Sequence, residues 1–174
     1  MTQPAGWKGI LDDDEAIIWQ GRPDTDLIWR PRNWAAMIFG LAFAGFALFW
    51  MIMAAQAGGL FWAFGLIHFS VGLGIAFAPP FWNAWRRRHT WYTLTNRRAF
   101  IATDMPVRGR RLQSYPISRD TVLAYDAQDP ATIHFAHEYR RGKNGSTRVD
   151  IGFERIADGA DVYARVRQVQ KDAE

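Results

Sequence analysis

The chain has no cysteine among its 174 residues, which excludes a disulfide framework, a thiol nucleophile and a thiolate metal site. Such a composition suits the reducing side of a membrane. From residue 33 to residue 85 the chain also lacks every Asp, Glu, Lys and Arg, and Arg30 and Arg32 before that run are matched by Arg86, Arg87 and Arg88 after it. No apolar core precedes the run, because Asp12-Asp13-Asp14-Glu15 stands where a cleavable leader would need one, so the apolar segment is expected to stay attached. Acidic groups are outnumbered in the C-terminal part. Residues 86–174 hold seventeen basic and eleven acidic side chains against four and six in residues 1–33, and together they give the formal charge of +4. So modest an excess facing an anionic leaflet needs no nucleic-acid partner, and none is expected.

What is present in the uncharged run is two lengths of apolar residues, 34–55 and 60–78, separated by Gln56-Ala57-Gly58-Gly59. At about 1.5 Å per helical residue they measure roughly 33 and 28 Å, enough for a hydrocarbon layer of ~30 Å. Lipid offers backbone amides no partner, so both are expected as helices, antiparallel across the short connection. Arginine flanks the outer ends and the connection is neutral, which predicts both termini in the cytoplasm and two spans of the inner membrane. A buried helical hairpin is the competing reading, but some 90 remaining residues are too few to wrap two such helices. Pro79-Pro80 is expected to end the second helix and leave 79–85, with Phe81, Trp82 and Trp85, in the headgroup layer. Ala36, Gly40 and Ala44 recur every fourth residue in the first span, as do Ser70, Gly74 and Ala78 in the second. These are candidate helix-contact positions, within one hairpin or between copies in a homo-oligomer. His68 is the one titratable group of the run, expected neutral and bonded to a helix carbonyl unless it serves a proton or ion path.

Beyond Arg88 short alternating stretches replace continuous apolarity, and the nine tryptophans, all at or before Trp91, give way to five tyrosines, all at or after Tyr92. Strands are expected at 91–94 and 98–102 about a Thr95-Asn96 turn, and at 111–115 and 121–125. Two more, 132–139 and 147–154, flank Arg140-Arg141-Gly142-Lys143-Asn144-Gly145, whose Asn-Gly pair tolerates the positive φ of a tight hairpin. Val162, Val166 and Val169 then share one stripe of a terminal helix, with Asp158 as its N-cap and Asp161 in its first turn.

The stretch Leu11-Asp12-Asp13-Asp14-Glu15-Ala16-Ile17-Ile18-Trp19-Gln20-Gly21-Arg22-Pro23, two spans, and then Tyr92-Thr93-Leu94-Thr95-Asn96-Arg97-Arg98-Ala99-Phe100-Ile101 resembles the bacterial PH-domain membrane proteins. The resemblance covers nearly the whole chain. It implies an α+β membrane protein in which a two-helix transmembrane hairpin is followed by a PH-like β-barrel, two sheets capped by a C-terminal helix. It divides the chain into an N-terminal segment 1–33 with a further strand at 16–20, the hairpin 34–85 and a cytoplasmic domain 86–174. It implies binding of lipids, peptides or proteins and transfers no catalytic residue. The basic loop of phosphoinositide-binding relatives has no counterpart, because Thr95-Asn96 leaves almost no loop.

Chemistry beyond binding finds little support in the residues. His134 and His137 with Glu138 have the composition of a metal site, but an odd separation on a strand is expected to put the imidazoles on opposite faces. Asp12-Asp13-Asp14-Glu15 lacks the spacing and glycine of a calcium loop, and Gly72-Leu73-Gly74 lies inside a span rather than between a strand and a helix. No nucleophile with a base and an orienting acid is evident, so no enzyme, cofactor or metal is expected. Arg30, Arg32, Arg86, Arg87, Arg88, Arg97, Arg98, Arg110 and Arg111, with Arg108 and Arg140-Arg141-Lys143 beside them, are candidate contacts to an anionic membrane surface at about 1 kcal/mol each. The expected function is an inner-membrane anchored, non-catalytic module binding a protein, a peptide or an anionic lipid surface. A pore or transport accessory built from several hairpins is the alternative.

Overall fold

The computed structural model describes residues 5–29, 33–106, 109–142 and 145–173. They form two compact units, one made of the residues up to Asp24 with those from Arg86 onward, the other of Thr25–Trp85.

In the first unit β1 (Ile17–Gly21), β2 (Thr90–Thr95), β3 (Arg98–Met105) and β4 (Gly109–Pro116) form one antiparallel sheet in that order. β5 (Ala124–Asp126), β6 (Ala131–Gly142) and β7 (Gly145–Ile156) form a second, and α3 (Gly159–Asp172) follows. The expected barrel is not closed, since no ladder joins the two sheets among the described residues. A turn intervenes, in which the Thr121 amide donates to the Ser118 carbonyl and the Thr121 hydroxyl accepts from the Ser118 amide at 2.8 Å. That turn consumes the start of the strand expected at 121–125 and leaves β5 three residues long. β1 pairs with β2 across some seventy residues of sequence, and Gly21 stands opposite Tyr92. The uncharged run therefore leaves and re-enters the sheet at one end of one ladder. It is an insertion into the first strand connection, not a preface to the domain.

The core between the sheets is Leu94, Ala99, Ile133, Phe135, Phe153 and Ile156, closed by Val162, Val166 and Val169 of α3. Phe153 is its centre, with Tyr92, Phe135 and Trp19 rings at 4.9, 5.0 and 5.2 Å. Fully burying a side chain of that size contributes about 2–3 kcal/mol. Asp158 does occupy the N-cap position of α3, but its carboxylate makes no capping bond and instead accepts from the Trp19 indole at 2.6 Å. β1 is thus pinned to the helix start as well as to β2. The expected separation of His134 and His137 needs correction. The β6–β7 register shifts between His134 and Ala136, so that Ile133, Ala136 and Glu138 oppose the inward Phe153, Ile151 and Val149. This bulge puts both imidazoles on the outer face.

In the second unit α1 (Trp34–Gln56) meets a 3-10 turn at Phe61–Phe64 and α2 (Gly65–Arg88) through Gly58 and Gly59, both at φ +79, where other residues would be strained. Both helices are long and apolar enough to cross a membrane. α2 continues through Pro79 and Pro80 instead of ending at residue 78. Proline's fixed φ is itself helical, so the helix runs on at the cost of two amide hydrogen bonds and of the rings crowding the carbonyls four residues back. Gly40 and Ala44 do face the partner helix. A Cβ on Gly40 would sit 2.6 Å from the Gly72 carbonyl oxygen and the Ala76 amide nitrogen. The contact stripe of α2 is therefore Gly72 and Ala76; Ser70, Gly74 and Ala78 are exposed, and nothing lies within 4 Å of a Cβ on Gly74. Ala36 is half-buried at the edge of the α1 stripe.

Candidate functional site

Inward positions on the strands pass from apolar to polar as they leave α3. On β2 the series is Leu94, Tyr92, Thr90; on β3 it is Ala99, Ile101, Thr103; β4 contributes Tyr115 and Gln113, and β6 ends with Glu138 and Arg140. The apolar end is plugged by the helix, and the polar end opens as a cleft of about 120 Å³ with Arg86 and Glu154 on its rim. Arg86 pairs with Glu154 at 3.3 Å. The Glu154 amide donates to the Tyr92 hydroxyl at 3.2 Å, and the Tyr115 hydroxyl donates to Glu138 at 3.0 Å. Burial, then the Glu154 charge, pushes the Tyr92 phenol well above its ordinary value. Burial and the bond to Glu138 push Tyr115 up to about 12. Both phenols keep their protons at physiological pH, which makes them hydrogen-bonding groups and not bases. A cleft this small is below the ~300–1,000 Å³ of small-molecule sites and fits one or two side chains.

The acidic lead-in and the Thr-Asn-Arg-Arg turn form a separate cluster. Glu15, its side chain fully buried, accepts from the Thr95 hydroxyl at 2.6 Å and from Arg98 Nη2 at 2.6 Å and Nε at 3.0 Å. Burial alone would raise the Glu15 carboxyl, but the bonds from Arg98, Thr95 and the Asp12 amide, with the Arg98 charge, outweigh it and hold the group below its ordinary value. Asn96 accepts from the Ala16 amide at 2.9 Å and donates to the Asp14 carbonyl, and Arg97 pairs with Asp14 at 2.5 Å. Two motifs some eighty residues apart in the chain are thus one latch across the start of β1 and the β2–β3 turn. A depression of about 700 Å³ beside it is lined by Ile18, Ile117 and Val169 together with Asn96, Arg97, Gln168 and Asp172, whose polar groups are already bonded, Gln168 to Asp172 and Asn96 and Arg97 to the acidic lead-in.

Compared with family profiles, curated proteins and solved structures, the chain matches none of them.

The arginines expected at a membrane surface are not brought together. Arg30 and Arg32 lie outside the described residues, as do Arg108, Lys143 and Asn144. Arg97 and Arg98 belong to the latch, Arg86 to the cleft rim, and Arg110 pairs with Asp104 at 3.1 Å. Arg87 is buried, 4% exposed, with its Nε donating to the Asp24 carbonyl at 2.7 Å. Asp24 in turn takes Arg155, whose φ of +53 is held by the Asp24 carboxylate and by the Thr132 hydroxyl on its amide. Arg88, Arg111, Arg140 and Arg141 are the members exposed without a carboxylate partner among the described residues. No group of three metal-ligating side chains occurs among the described residues. Sequence reasoning missed the cleft, although the apolar-to-polar drift along Leu94, Tyr92, Thr90 was there to be read.

Proposed function

We propose that the chain is a non-catalytic, PH-like binding module of the bacterial inner membrane, with a two-helix transmembrane anchor inserted between its first two strands. The cleft of Tyr92, Gln113, Tyr115, Arg140 and Glu154 takes one or two polar side chains of a polypeptide partner at the cytoplasmic face. The observation that carries this reading is the pairing of a side-chain-sized polar cleft with helices whose apolar side chains stand in the open, such as Phe46 and Phe61, each 67% exposed. Water would penalise that surface and lipid does not. A polypeptide is favoured over an anionic lipid surface because Arg86, Arg97, Arg98 and Arg110 already carry carboxylate partners, Arg87 is buried, and the cleft presents both signs of charge.

Photo-crosslinking in whole cells tests it. A diazirine side chain at Gln113 is expected to yield a defined polypeptide adduct that disappears with Arg140→Glu, while the same probe at His137 on the outer face does not form it. Adducts to phospholipid alone, or equal adducts at both positions, overturn the reading. The pore alternative draws on the exposed small residues Ser70, Gly74 and Ala78, and it requires His68→Ala to abolish a pH-dependent conductance.

A further inference from the structure

The polar cleft ends a series of contacts between the two sheets. Moving away from α3, the Tyr115 ring of β4 meets the Phe135 ring of β6 at 5.9 Å, and the Tyr115 hydroxyl then donates to Glu138 at 3.0 Å. Same-face side chains on a strand recur every second residue, about 6–7 Å further on, so the next inward positions are Gln113 and Arg140. Both line the cleft, and neither side chain has a hydrogen-bond partner among the described residues. Arg140 is also the one charged group lining the cleft without a partner there. Glu154 is paired with Arg86 at 3.3 Å, Asp150 with Arg148 at 2.9 Å, and Arg87 donates to the Asp24 carbonyl. Tyr92 lies deeper, 4% exposed; its hydroxyl oxygen accepts the Glu154 amide, and its hydroxyl hydrogen has no acceptor among the described residues. A buried donor in that state calls for an acceptor from outside the chain.

We infer that the side chain this cleft takes is acidic, a Glu or Asp of the partner polypeptide, held by the Arg140 guanidinium with the Gln113 amide and the Tyr92 hydroxyl as further donors. The inference rests on the reading of the cleft as a polypeptide site. The open groups offer N–H and O–H hydrogens, and an ionised carboxylate is acceptor only, with two oxygens that match a guanidinium fork. A Lys or Arg of the partner would meet the unpaired Arg140 charge and find each carboxylate of the cleft already engaged. A phosphorylated side chain brings close to two negative charges to one free cation, with Glu138 and Glu154 beside it, whereas a carboxylate brings one. The space of about 120 Å³ suits a carboxyl group on a one- or two-carbon stem.

The test selects peptides from a displayed random library on the full chain in phosphatidylcholine nanodiscs, with binders to empty nanodiscs removed. Binding at the cleft is read from the 15N-labelled side-chain amide of Gln113, assigned by its loss in Gln113→Met. The selected peptides are expected to share one Glu or Asp, to shift the Gln113 resonances saturably, and to lose on the order of tenfold in affinity when that residue becomes Gln or Asn. Arg140→Gln is expected to cost a similar factor, whereas Arg141→Gln, one position along and on the other face of β6, removes the same charge and leaves the affinity unchanged. Repeating the selection on Arg140→Glu should replace the shared acid by Lys or Arg. Peptides that shift Gln113 but share a basic or neutral residue, or that bind more tightly with phosphoserine in place of the acid, overturn the inference and leave the cleft reading standing. If no selected peptide shifts Gln113, the cleft reading falls and the inference with it.

Discussion

Glu15 shows how a single buried charge is tolerated and what it costs when disturbed. Its carboxylate collects two guanidinium bonds, a hydroxyl and a backbone amide, so every lone pair has a donor. Glu15→Gln keeps the shape but removes the charge opposite Arg98, and is expected to lower stability by about 2 kcal/mol, less than for a wholly buried pair because Arg98 is a quarter exposed. The sign of the pH dependence follows from the lowered carboxyl. Folded Glu15 binds its proton less readily than the unfolded residue, so its contribution is complete above about pH 4.3 and is lost as pH falls through the folded value. Chemical denaturation of the full chain in detergent from pH 7 down to pH 3 should show that acid loss in the wild type and a shallower one in Glu15→Gln. Equal slopes would mean the latch carries no net stability. The acidic lead-in and the Asn-Arg-Arg turn could each be picked out in the sequence, but nothing local showed that they bind one another.

At the scale of elements, what was legible was whatever repeats at short range. The β2–β3 hairpin, the β6–β7 hairpin and the valine stripe of α3 are patterns of neighbours, and period and turn chemistry suffice to find them. Features set by distant contacts were not legible. The bulge at His134–Ala136 reverses the facing of one histidine, and the passage of α2 through Pro79-Pro80 depends on what surrounds those carbonyls. The small-residue stripes were half legible, since four-residue spacing finds every face of a helix that carries glycine and cannot choose the one a partner occupies. The geometry chooses Gly40 and Gly72. Gly40→Leu forces a side chain into the backbone of the facing helix and is expected to destabilise the hairpin by more than about 2 kcal/mol, whereas Gly74→Leu, pointing into open space, stays within about 0.5 kcal/mol. Steric trapping of the pair in bicelles measures both. A large loss at Gly74 would show that the outer face of α2 is occupied.

For the whole molecule, the decisive fact is that the first unit is assembled from two stretches of chain with the apolar helices strung between them. The sequence shows an apolar run and a β-rich remainder. It does not show that Ile17–Gly21, before the run, completes the sheet after it, because pairing across some seventy residues leaves no local trace. The two ends of the insertion are held side by side by bonds that belong to the first unit. Asp24 exchanges backbone and carboxylate bonds with Arg155, and its carbonyl accepts from Arg87 at 2.7 Å. If that neck is as self-sufficient as its bonding implies, the insertion is dispensable for folding. Replacing residues 25–85 by a six-residue Gly/Ser linker spans up to about 20 Å and adds little closure entropy. The roughly 110 residues that remain can bury a core of their own. The expected product stays monomeric without detergent, has a strand-dominated circular dichroism spectrum and melts cooperatively. Removing residues 1–21 from it should abolish the transition, since Trp19 would then leave Phe153 and Asp158 uncovered. A linker variant that aggregates, or one that melts unchanged without β1, would show that the helices hold the sheets together and that the chain folds as one body around its insertion.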